Sequence, residues 1–179
     1  MIDEPYRYIT GAAVPFPEGG ATLPPFHFPW CFGCGPENDA ALGVVPRVEG
    51  AKVVADLSFA PRFHGGPGLV HGGAISALMD DLLGFVPFAH GYPSVTAKLE
   101  VNYRTHIPLG TTVRGEAWLT AIQGRKLWVE GAAEDATTRY MEARGLFLLI
   151  DAGHFARELE HLSPAEREYL SGVEWGQYP

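Results

Sequence analysis

The sequence predicts an α+β domain in which a curved antiparallel sheet wraps one long central helix. The segment from about Gly72 to Phe88 reads as a helix whose apolar positions, Ile75, Ala77, Leu78, Met79, Leu82, Leu83, Phe85 and Val86, go nearly all the way round. Such a helix is surrounded rather than laid on a surface. Strand-like segments then follow in succession at about Val95–Tyr103, Thr112–Ile122, Lys126–Glu134 and Arg139–Ile150. Gln123-Gly124 and Asp135-Ala136-Thr137 are turn signals that join neighbours as antiparallel hairpins, giving a four-strand meander. An antiparallel sheet that must cover an all-apolar helix curls around it.

The elements can be justified in chain order. Residues 1–30 are rich in proline, glycine and aromatics, as in Val14-Pro15-Phe16-Pro17 and Pro24-Pro25-Phe26-His27-Phe28-Pro29-Trp30. The prolines deny this extension a helix or a central strand, and the aromatics imply packing over the domain or a neighbouring subunit. The main domain is expected over 31–152. It begins with a glycine-rich turn region from Cys31 to Leu42, a short strand near Val44 to Val48 and a clear strand from Lys52 to Phe59. A Gly/Pro loop from Arg62 to Gly68 leads into the helix. The strand at Val95 alternates apolar odd positions with polar even ones, the pattern of a half-buried strand. The tail, 153–179, carries a short helix after Ser163, with Ser163 and Glu166 spaced as a capping box.

Composition excludes several classes of function. The chain has 179 residues, 46% hydrophobic and 19% charged, which suits one domain with a real core. A net charge of -8 without a basic block argues against a nucleic-acid surface, where phosphates need clustered Lys and Arg. The acidic start Met1-Ile2-Asp3-Glu4-Pro5 is not a signal peptide, and no window is read as approaching the ~18 apolar residues of a membrane span. The cytoplasm is the expected compartment. Cys31 and Cys34 are too close together to form a disulfide framework. Zinc needs four ligands and no second pair exists, although His27 or a symmetry mate could add donors. The expectation is two buried thiols in a tight turn and no metal.

The chemistry is concentrated in Val70–Gly84, V-H-G-G-A-I-S-A-L-M-D-D-L-L-G. Gly72 and Gly73 put bare backbone at a helix start, where unpaired N–H groups and the positive dipole end face outward. Asp80 and Asp81 lie on a helix that reads as buried, and a buried carboxylate is costly unless paired or useful. An oxyanion site and a carboxylate on one helix suggest acyl chemistry. Asp81 points about 100° away from Asp80 and reads as structural or solvent-contacting.

Four segments together resemble the hotdog-fold acyl-CoA thioesterases, in particular the phenylacetate-pathway and 4-hydroxybenzoyl-CoA thioesterase branch. Cys31-Phe32-Gly33-Cys34-Gly35-Pro36-Glu37-Asn38, ending at Leu42-Gly43, is similar to C-F-x-C-G-x-x-N-x-x-G-L, with Asp39-Ala40-Ala41-Leu42 departing from the usual Pro and Gly. The stretch from Phe63 to Gly73 is similar to F-x-G-P-P-G-x-V-H-G-G, with His64 where Gln is usual. Asp80 falls nine residues after His71, as the family's catalytic acid does. Val95-Thr96-Ala97-Lys98-Leu99-Glu100-Val101-Asn102-Tyr103 resembles V-T-A-x-L-x-V-x-Y, and Ile107-Pro108-Leu109-Gly110 follows, with Thr105 where Pro is usual.

The resemblance implies a hotdog fold, an acyl-CoA substrate hydrolysed to acid and CoA, no cofactor beyond CoA itself, and sites at a homodimer interface, with further pairing into a tetramer as the larger assembly. Helical rise agrees with the dimer. Gly72 and Asp80 are about 12 Å apart along the axis at ~1.5 Å per residue, too far for one aspartate to serve a carbonyl held at its own Gly72. Antiparallel helices across a twofold bring each Asp80 to the partner's helix start. Backbone N–H of Gly72, and of Gly73, would hold the oxyanion, and Asp80 would act as general base or nucleophile. Thr96 would position water or the carboxylate, although its parity puts it on the polar face unless the strand bends. His71 would orient the loop or contact the thioester. His64, Lys98, Asn102 and Arg104 are the substrate-binding candidates, with Arg62, Arg125 and Lys126 as further cations for CoA phosphates. A hotdog enoyl-thioester hydratase or dehydratase, and a non-catalytic acyl-CoA binding protein, remain as alternatives.

Overall fold

A computed structural model describes residues 7–8, 16, 23, 27–150, 154 and 161–171. Most of the expected N-terminal extension and part of the tail lie outside the described residues. The elements are β1 (Arg7–Tyr8), β2 (Arg47–Glu49), β3 (Lys52–Ser58), a 3-10 turn at Pro61–Phe63, α1 (Gly72–Ala89), β4 (Ser94–Tyr103), β5 (Thr112–Gln123), β6 (Lys126–Glu134), β7 (Arg139–Leu149) and α2 (Pro164–Ser171). The sheet order is β2-β3-β5-β6-β7-β4, antiparallel throughout, with β1 pairing beside the end of β5. Six strands thus curve around α1, and the fold class agrees with the sequence.

The topology corrects the expected meander. β5, β6 and β7 are consecutive hairpins, but β4 pairs with β7 at the sheet edge and β3 takes the place beside β5. Turn signals report only connections between sequence neighbours, and β4 is joined to β5 by a longer loop that crosses the sheet. At the other end of the chain the capping box forms as read. The Ser163 N–H donates to Glu166 Oε2 at 2.6 Å, and the Glu166 N–H donates to Ser163 Oγ at 3.3 Å.

The core is the contact between α1 and the concave sheet face. Leu78, Met79, Leu82, Leu83, Phe85 and Val86 are wholly buried, against Val53, Ala117, Leu119, Leu127, Val129 and Phe147. The helix seats closely because β5 and β6 carry glycine where it lies. A Cβ at Gly115 would come within 2.7 Å of Leu82 Cδ2, and one at Gly131 within 2.8 Å of Leu83 Cδ1. By length and hydropathy α1 could cross a membrane, at 18 residues and mean hydropathy 1.2. That corrects the expectation that no segment is apolar enough, and the sheet explains the composition: α1 is apolar because it is wrapped. The wrapping leaves one stripe open. Gly73 is exposed, and Ser76, Ala77, Asp80, Gly84 and Phe88 are only partly buried, at spacings of three and four residues.

Candidate active site

The start of α1 is held by three side chains. His71 is the N-cap, and its Nδ1 accepts the Gly73 N–H at 2.9 Å. A ring nitrogen that accepts a backbone N–H is unprotonated, so in the neutral ring Nε2 carries the hydrogen. The Tyr103 hydroxyl donates to Gly72 O at 3.0 Å and shares a 2.5 Å hydrogen bond with Ser76 Oγ. Of the two expected oxyanion donors, Gly73 is therefore engaged by His71. The Gly72 N–H makes no hydrogen bond among the described residues and lies at the positive end of an 18-residue helix.

Asp80 lies two turns further on, on the open stripe. Its Oδ1 accepts a hydrogen bond from Thr96 Oγ1 at 3.1 Å. The parity argument against Thr96 is overturned by a β-bulge. The β4–β7 register shifts between Thr96 and Lys98, so one extra residue is absorbed and the side chains on either side of it exchange faces. Thr96 pairs with buried Phe147 on the helix side of the sheet, whereas Lys98 pairs with Leu146 on the outer side. The bulge aims a threonine at the aspartate that the helix presents.

The remaining binding candidates are not gathered around Asp80. Lys98 and Asn102 share the outer parity of β4, and Arg104 follows just beyond the strand's end. Lys98 forms an exposed ion pair with Glu100 at 2.6 Å, and Arg104 pairs with Glu142. Asn102 lines a hollow of about 470 Å³ on this outer face with Trp118, Arg139 and Glu142, away from Asp80. His64 is exposed on the loop before the helix, bridged to Val70. Arg62 donates to Ala41 O at 2.6 Å and lies over the Phe63 ring.

Residues 67–142 match the family model for the thioesterase superfamily, spanning the end of the loop before the helix, the helix itself and the strand that carries Thr96 and Tyr103. The chain is 39% identical over 92 residues to acyl-coenzyme A thioesterase THEM4 of Mus musculus, covering 50% of this chain and 40% of that protein. It is 30% identical over 102 residues to acyl-coenzyme A thioesterase THEM5 of Homo sapiens, covering 56% and 38% respectively. The match thus spans less than half the length of these relatives. Among solved structures, the thioesterase superfamily protein RHA08564 superposes with a TM-score of 0.64 at 27% identity, covering 73% of this chain and 66% of that one. The protein smu.793 of Streptococcus mutans UA159, solved bound to acetyl CoA, shares the fold at 20% identity and a TM-score of 0.55, over 60% and 86%.

Around this helix the sequence reading missed two features. Tyr103 and Ser76, which hold the helix start, could have been noticed as the inward tyrosine ending a motif strand and a polar residue one turn into the helix. The second is a cluster built on Asp81. Its side chain is 8% exposed, and its Oδ1 lies 3.0 Å from His27 Nδ1 and 3.4 Å from Cys31 Sγ. Cys34 Sγ lies 3.5 Å from His27 Nδ1. Burial pulls the His27 pKa down, but hydrogen bonds to Asp81 and Cys31 outweigh it and raise it to about 9. Burial pushes the Asp81 carboxyl up against the opposing effect of His27. A hydrogen bond from Cys34 holds Cys31 down to about 3, and the same bond pushes Cys34 up. His27, Cys31, Cys34 and Asp81 are the residues whose donor atoms could hold a metal.

Proposed function

We propose that this chain hydrolyses acyl-CoA thioesters at two equivalent sites in a homodimer, with Asp80 as the catalytic carboxylate. The observation that carries this is the pairing of Asp80 with Thr96 on the one open stripe of an otherwise wrapped helix, two turns from the unpaired Gly72 N–H. Toward the helix start the stripe is lined by the small residues Gly73, Ser76 and Ala77, so a second α1 can approach it closely there. Antiparallel packing of two such helices brings the partner subunit's Asp80 to the Gly72 end, which the ~12 Å separation within one chain forbids.

The thioester carbonyl oxygen would accept the Gly72 N–H, assisted by the helix dipole, and that contact strengthens as the oxyanion develops. Thr96 holds Asp80 Oδ1, leaving Oδ2 to take a proton from water as it attacks the carbonyl carbon. The tetrahedral intermediate then collapses, breaking the C–S bond. CoA leaves as thiolate and takes up the proton, and the acid is released. If Oδ2 attacks instead, the C–S bond breaks, CoA leaves as thiolate and a mixed anhydride forms, and water then cleaves it to release the acid, restore the Asp80 carboxylate and supply the proton taken up by CoA.

The names of the matched relatives support an acyl-CoA substrate, as does the CoA-bound state of a fold neighbour. With Lys98 and Arg104 tied to Glu100 and Glu142, phosphate contacts from this side require those ion pairs to open. The test is CoA-thiol release from short, medium, long and aromatic acyl-CoAs. At least one class is expected to turn over, with activity lost in Asp80→Asn while the dimer persists. Hydration of an enoyl-CoA without thiol release, or binding without turnover, would overturn this reading.

A further inference from the structure

We propose that His27, Cys31, Cys34 and Asp81 form a closed tetrahedral site for one structural Zn²⁺ that fastens the N-terminal turn to α1. The four donor atoms all lie within 4.8 Å of one another. Bond lengths of about 2.3 Å to sulfur and about 2.0–2.2 Å to nitrogen and oxygen give tetrahedral edges of roughly 3.3–3.8 Å. Three of the edges, 3.0, 3.4 and 3.5 Å, are already close to these, so a metal ion needs only modest adjustment of the ligands. Two thiolates, one imidazole and one carboxylate form a borderline-soft set suited to zinc.

Three further observations point the same way. The His27 N–H donates to Cys34 Sγ at 3.1 Å. Donors aimed at sulfur stabilise thiolates, the form that binds metal. Asp81 Oδ2 is buried without a hydrogen-bond partner among the described residues, a cost that a bound cation would offset. Without a metal, Cys31 Sγ and Asp81 Oδ1 at 3.4 Å must either share a thiol proton or face each other as anions. The turn is also shaped to the carboxylate: a Cβ at Gly33 would lie 2.2 Å from Asp81 Cγ. The expectation of no metal counted only the Cys-x-x-Cys pair and a nearby histidine. The fourth donor comes from the helix, 47 residues beyond Cys34. With four protein ligands the site has no open position, so its role is to hold residues 27–35 against the helix that carries Asp80. This inference is independent of the proposed thioesterase activity.

The full chain, stripped with a chelator, is dialysed against micromolar Zn²⁺ and its metal content is measured by mass spectrometry. One zinc per chain is expected, and Co²⁺ in its place should show thiolate charge-transfer and tetrahedral ligand-field absorption. Cys34→Ser and Asp81→Asn should lose most of the bound metal. Because these variants can fail to fold, alkylation of the two thiols is also timed in the wild-type chain with and without Zn²⁺. Zinc is expected to slow it by about tenfold or more, as bound thiolates are withdrawn from reaction. No uptake by the wild-type chain, unchanged alkylation, or a Cys31–Cys34 disulfide that forms equally fast with zinc present would overturn the site.

Discussion

Asp80 lies on the open stripe of α1 and accepts a hydrogen bond from one threonine, whereas Asp81, about 100° further round the helix, is sealed beneath the Cys31–Gly35 turn. The two are adjacent in sequence and carry the same functional group, so covalent structure cannot distinguish them. What differs is the surroundings. Asp80 faces space that a substrate and a second subunit can fill, and no cation contacts it among the described residues. Asp81 has a histidine and two cysteines packed against it, and one of its oxygens has no partner. A carboxylate at an open surface that a substrate can reach suits chemistry. One enclosed by nitrogen and sulfur donors suits structure.

The comparison is broken most sharply by substituting each aspartate in turn. Asp80→Asn should reduce kcat by about 10²–10⁴, the range of general acid–base catalysis, with the melting temperature nearly unchanged. Asp81→Asn should do the opposite. Removing one partner of a buried ion pair costs about 3–5 kcal/mol, read as a lower denaturation midpoint, while the protein that remains folded keeps its kcat. Thr96→Val tests whether the bulge serves Asp80. Loss of a hydrogen bond to a carboxylate, partly screened by solvent, should lower kcat by roughly tenfold with little change in stability. The smallest effect is expected from Tyr103→Phe, which removes the bonds to Gly72 O and Ser76. It should cost about 0.5–1.5 kcal/mol in urea unfolding and reduce activity only through the position of the helix start.

Much of this was legible in the sequence. The helix, the strand segments and the hairpin turns follow from periodicity and turn residues, since burial on one face or all faces writes itself into the order of apolar positions. The places of Gly72 at the helix start and Asp80 two turns on were legible because motif and spacing coincide. The face of Thr96 was not, because counting parity assumes an unbroken pleat and a single bulge inverts it. Nor was the pairing of β4 with β7, which no local turn specifies. Lys98 and Arg104 looked like free cations because a sequence shows charge but not its pairing, here with Glu100 two residues along β4 and with Glu142 on the neighbouring strand. The Asp81 cluster was hidden for the same reason. Its histidine lies 54 residues away from it, and only the folded turn brings sulfur, nitrogen and oxygen to one point.

The most direct measurement is the rate of CoA-thiol release by Asp80→Asn and Asp81→Asn, assayed side by side at matched concentrations of folded protein. The account predicts a silent Asp80 variant that is as stable as wild type and an Asp81 variant that turns over normally for as long as it stays folded. Normal turnover without the Asp80 carboxylate, or an Asp81 variant that is stable yet inactive, would contradict it.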